Sequence, residues 1–250
     1  MWKRASCDHE TRRRDFPFYD GEPAALPAIR WLAALLVAAA AFATLIFLDG
    51  DWAGVFSQAA PMVLFACLML TALRVMAGPR WHVLFRRPTG RDIAVGLGGA
   101  VLSLSCSGLV GMLLVTRISV APNPAVADLS DLDAARLVLF VAASAPQILG
   151  EELITIIPFL ALLTACFAKA RCDRSLSVVV AWVGSAVLFA LLHLPTYDWH
   201  VVQTLAVIGT ARLALSVPYL VTKNIWASTF AHVLNDWTLF ALAGLLSARL

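Results

Sequence analysis

The chain has 250 residues, 60% of them hydrophobic and only 14% charged, and its mean hydropathy is +0.81. These values exclude a soluble globular domain and point to an all-α, polytopic membrane helix bundle. The formal net charge of +3 is concentrated between the apolar runs, so it reports topology, and no nucleic-acid partner is expected.

Residues 1–28 form a basic tail with Lys3, Arg4, Arg12, Arg13 and Arg14, interrupted by Pro17, Pro23 and Pro27. It is expected to be flexible and to meet anionic lipid. A helical span needs about 20 apolar residues. Seven candidates follow, at roughly 29–48, 58–77, 93–116, 136–168, 176–193, 201–221 and 225–247. The first three make an N-terminal unit, 29–134, and the last four a second unit, 135–250. About thirty residues precede the first span, which reads as a retained helix and not as a signal peptide. The fourth is over-long and is expected to tilt, bend or extend beyond the bilayer.

Basic residues fall in alternate connections: the tail, then Arg80, Arg86, Arg87 and Arg91, then Lys169, Arg171 and Arg174, then Lys223. The intervening connections carry Asp49 and Asp51, then Asp128, Asp131 and Asp133, then Asp198. The excess of Lys and Arg on cytoplasmic segments places the N-terminus in the cytoplasm and, with seven spans, the C-terminus outside. The expected location is the cell membrane. Five scattered cysteines without a CxxC pair give no disulfide framework.

Ionisable groups inside spans are costly, so those present mark function. Glu151 and Glu152 interrupt span four in GEELITIIPFL, between Pro146 and Pro158, and a helix points adjacent residues about 100° apart. The two carboxylates should therefore have different roles, on a helix expected to kink at its prolines. Span five ends FALLHLP, which puts Phe189 and His193 on one face. Span six carries Arg212. Span seven opens NIWASTFAHVLNDW, with Asn224 as its N-cap and with Asn235 and Asp236 three and four residues beyond His232. Measured from the span starts, His193 stands about 27 Å deep and His232 about 10 Å, so the two rings do not meet by simple depth.

Glu, His and His on three spans suit two chemistries for amide hydrolysis. Glu151, His193 and His232 could ligate zinc or another divalent metal that activates water. In the other, no cofactor is needed: a carboxylate acts as base on water while His with Asn or Asp stabilises the oxyanion. No HExxH is present.

The order Glu151-Glu152, Phe189-x-x-x-His193, His232-x-x-x-Asp236 resembles the CPBP family, the CAAX proteases and bacteriocin-processing (Abi) enzymes, over roughly residues 140–240. The resemblance implies a multi-pass intramembrane endopeptidase, of metallo or glutamate type, acting on a membrane-associated peptide or protein. It implies Glu151 as the water activator, His193 as its assistant or a metal ligand, and His232 with Asp236 as the group that positions the substrate carbonyl or the metal. Glu152 becomes an orienting carboxylate, with Phe189, Asn235 and Arg212 in support. One departure matters: the family's EExxxR has Ile156 at its arginine position, which leaves Glu152 without a cation on its own helix. Arg212, which itself needs a counter-ion, is the expected replacement. The rival readings are an inactive relative serving as a membrane scaffold or bacteriocin-immunity protein, and a proton-coupled transporter, which should show a repeat that is absent.

Overall fold

The computed structural model describes residues 15–48, 59–123 and 132–247. The arginine-rich run up to Arg14, Cys7, Asp49, Asp51, Asp128 and Asp131 lie outside the described residues. The long helices are α1 (Ala28–Phe47), α2 (Ala59–Ala77), α3 (Gly90–Val115), α4 (Ala134–Thr164), α5 (Arg174–Leu192), α6 (Val201–Thr222) and α7 (Ile225–Ser247). They follow the apolar runs closely, and six of them, α1 to α6, are long and apolar enough to cross a membrane.

Local chemistry sets several starts. Thr89 and Asp92 form a reciprocal capping box on α3. Asp133 accepts from Arg136 N on α4, Asp173 from Leu176 N on α5, and Asn224 from Trp226 N on α7. The α4 helix runs through both Pro146 and Pro158 without ending and widens into a π-helical turn at Ala165–Lys169.

The centre of the bundle is α4. In its most apolar window 67% of residues are buried, against 22% for α1 and α3. It packs on α2, α5 and α7, while α6 packs on α3, α5 and α7. Outward faces stay apolar, with Leu97, Leu109, Met112, Val180 and Leu242 exposed, as a lipid solvent requires. The approach of α2 to α4 depends on Gly150: a Cβ there would stand 2.6 Å from Phe65 Cε1. Glycine at that position lets Phe65 seat against the turn that carries the two carboxylates.

Residues 15–22 are not a free tail. Phe16, Phe18 and Tyr19 are 4%, 1% and 5% exposed, and each ring buried in this way contributes about 1.5–3 kcal/mol. This strap meets connections that are far apart in sequence. Asp15 is held by Arg174 at the start of α5, Arg86 donates to the Asp15 carbonyl, and the Lys223 ammonium sits over the Phe16 ring. The basic connections between α2 and α3, α4 and α5, and α6 and α7 therefore share one end of the bundle, as the alternating charge pattern requires.

Candidate active site

The polar site forms where α4, α5, α6 and α7 converge. Glu152 is 1% exposed and Arg212, one helix away, is also 1% exposed. Arg212 Nη2 donates to Glu152 Oε1 at 2.6 Å. The same carboxylate oxygen lies 2.9 Å from His232 Nδ1. A carboxylate accepts, so His232 carries its proton on Nδ1 and donates it to Glu152. Arg212 is also covered by Phe189, whose ring centroid lies 5.0 Å from the guanidinium carbon.

With Nδ1 engaged, His232 turns Nε2 toward two more carboxylates: Glu151 Oε2 at 3.7 Å and Asp236 Oδ2 at 3.6 Å. Both separations exceed a direct hydrogen bond and leave a polar spot bounded by all three groups. Glu151 accepts from Gln147 Nε2 at 2.8 Å through its other oxygen. Asp236 Oδ1 accepts from Asn235 Nδ2 at 2.9 Å. The adjacent glutamates thus differ in kind. Glu152 is committed to Arg212 and His232, whereas Glu151 keeps an oxygen facing the spot.

His193 caps the end of α5, and its Nδ1 lies 2.9 Å from the Phe189 carbonyl, to which it donates. Its ring stands 4.5 Å from that of Phe189, and the Phe189 ring is 6.5 Å from that of His232. Both histidine rings thus border Phe189. A small cavity with room for about one water lies beside the Glu152–Arg212 pair. Ile156, Phe159, Ser216 and Tyr219 contribute to its wall, and Tyr219 Oη and Arg212 Nε are buried there without a hydrogen-bond partner among the described residues.

Residues 133–238 match the family model described as Type II CAAX prenyl endopeptidase Rce1-like. This stretch is similar to the type II CAAX prenyl endopeptidases. No curated protein and no solved structure matches the chain. The matched region opens at the N-cap of α4 and closes just beyond Asp236, so it contains every residue of the polar site. The name of the matched model is that of an endopeptidase.

The sequence left open whether Glu151, His193 and His232 hold a metal. Among the described residues no three His, Cys, Asp or Glu side chains are grouped to hold an ion. His232 gives Nδ1 to Glu152 and His193 gives its own Nδ1 to a backbone carbonyl, which leaves Nε2 as the nitrogen each ring offers to the site.

Two neighbours escape sequence reading. Gln147 sits one turn before Glu151, a spacing that is visible in the sequence but carries no motif. Tyr197, in the turn after His193, is 7% exposed. Burial, and then the charges of Asp236 and Glu151, push its phenol up to about 12, which sets a neutral hydroxyl in the field of the two carboxylates.

Proposed function

We propose that the protein is an intramembrane endopeptidase that hydrolyses a peptide bond of a membrane-associated peptide or protein with Glu151 as the base. The observation that supports this is the division of labour between the glutamates. Glu152 is consumed by Arg212 and His232, while a Glu151 oxygen faces His232 Nε2 across 3.7 Å.

In this reading Glu151 takes a proton from water as the water oxygen attacks the carbonyl carbon. His232, aligned by Glu152 and flanked by Asp236, donates from Nε2 to the developing oxyanion. A ring donating at both nitrogens is cationic, and the surrounding carboxylates match that charge. The proton held by Glu151 then passes to the leaving nitrogen as the C–N bond breaks. His193, with its proton on Nδ1, offers Nε2 as a second acceptor for the water. No step needs a metal.

The bilayer supplies the dry surroundings in which these charges act strongly. The strap and the basic connections share one end of the bundle, which supports a cytoplasmic N-terminus in the cell membrane. The scaffold alternative drew on the missing motif cation, and Arg212 supplies a cation to the same carboxylate. Cleavage of a reporter peptide by purified protein tests the reading, with Glu151→Ala, His193→Ala and His232→Ala in parallel and with chelator and then zinc added. Loss of cleavage in the variants with indifference to chelator is expected; equal cleavage by wild type and Glu151→Ala would defeat it.

A further inference from the structure

The segment Asp15 to Tyr19 makes contacts of a kind that peptide-binding sites make. Asp15 receives two parallel bonds from one guanidinium, Arg174 Nη2 to Oδ1 at 2.6 Å and Nε to Oδ2 at 2.9 Å, the fork geometry that selects carboxylates. The next residue, Phe16, lays its ring against Phe159 at 5.0 Å and Tyr219 at 5.8 Å. Lys223 covers the same ring at 4.1 Å. Tyr19 stacks edge-on against Phe167 at 5.0 Å. The segment thus fills a cleft with a cationic rim and an aromatic floor.

The floor is also a wall of the internal cavity. Phe159 and Tyr219, the two rings that receive Phe16, line the same space as Glu152 and Arg212. Tyr219 Oη and Arg212 Nε stand buried in that wall with no hydrogen-bond partner among the described residues. The strap is held at a backbone cost, because Phe18 adopts a φ of 75°, a conformation that bulky residues reach only when their surroundings enforce it. Its anchors come from three separate connections, and nothing in helix packing requires a proline-rich segment to lie there.

We propose that the cleft between Arg174, Lys223, Phe159 and Tyr219 is a binding site for a peptide that carries a carboxylate next to an aromatic ring. The chain's own Asp15–Phe16 occupies it and closes the cavity beside Glu152. A peptide of the same chemistry enters by exchange with the strap. The route it opens rests on the endopeptidase reading, whereas the binding itself does not.

The test uses the full chain in detergent, with its native cysteines replaced by serine and Ser216→Cys as a reporter in the cavity. Thiol labelling is followed in this protein and in the same protein carrying Asp15→Lys and Phe16→Ala, which free the strap. At least a tenfold faster labelling is expected in the freed variant, and a synthetic peptide of residues 15–22 added in trans should restore protection. An Arg174→Ala variant with the strap intact guards against misfolding: it should label fast and resist protection by the peptide. Equal labelling rates with and without the strap, or peptide protection that persists in Arg174→Ala, would overturn the proposal. Labelling reports independently of turnover, so a strap effect without cleavage removes only the endopeptidase reading, and cleavage with no strap effect on labelling removes only this one.

Discussion

Arg212 Nη2 lies 2.6 Å from Glu152 Oε1, with both side chains buried between helices α6 and α4. Ile156, where the family's first motif has arginine, lines the cavity beside this pair. Glu152 takes its cation from α6 and not from one turn along its own helix. Removing one partner of a buried pair costs about 3–5 kcal/mol because the other charge is left alone. Arg212→Leu should therefore sharply lower folded yield and thermal stability in detergent. Adding Ile156→Arg should recover a good part of both, since it returns a cation to the same carboxylate. Additive losses in the double variant would deny that the two positions serve one role.

Phe189 is tied to the same cation. Its ring covers Arg212 at 5.0 Å and stands 4.5 Å from the ring of His193. Phe189→Leu should cost about 1–2 kcal/mol and shift KM less than kcat, because the ring positions His193 without touching a substrate. Thermal unfolding and steady-state cleavage read the two effects separately.

Much of this was legible beforehand and some was not. Apolar runs of about twenty residues located the helices, since lipid leaves a backbone few other choices. The need of a buried arginine for a counter-ion pointed across helices from Arg212 to Glu152. The sequence could not say which glutamate takes His232 Nδ1 and which faces Nε2, because a 100° offset on α4 becomes an assignment only once the crossing of α7 is known. Nor did it disclose the strap. Phe16, Phe18 and Tyr19 lie among prolines and charges without helical or strand period, and the bond that fixes them joins Asp15 to Arg174, 159 residues away.

Gly150 offers a test of packing near the site. A methyl group there would meet Phe65, which is fully buried and cannot swing aside. Gly150→Ala should cost about 1–3 kcal/mol by overpacking, and a smaller ring-free partner, Phe65→Leu, should relieve it. Thermal shift assays on the single and double variants check both statements.

The strap carries the pH dependence that can be worked out. Burial works to raise the Asp15 carboxyl, but Arg174 and the Phe16 amide hold it below its usual range. Its contribution is present above the unfolded value, near about 3.9, and is lost as pH falls through the lower folded value. Burial pulls Lys223 down to about 8, against the pull of Asp15 and with help from Arg174, Arg86 and Arg91. Between that value and about 10.4 the unfolded chain binds more protons, so stability rises with pH across this window. Melting temperature measured against pH should show an alkaline rise that Lys223→Met removes and an acid loss that Asp15→Asn removes.

The most direct measurement is the cleavage rate of Glu151→Gln, normalised to folded protein, beside wild type and Glu152→Gln. The substitution keeps the size of the side chain and its reach to Gln147 but cannot take a proton. Loss of a general base predicts a fall in kcat of about 10²–10⁴-fold with an unchanged melting temperature for Glu151→Gln, whereas Glu152→Gln loses stability together with rate. Cleavage by Glu151→Gln at the wild-type rate would contradict the assignment of Glu151 as the group that activates water.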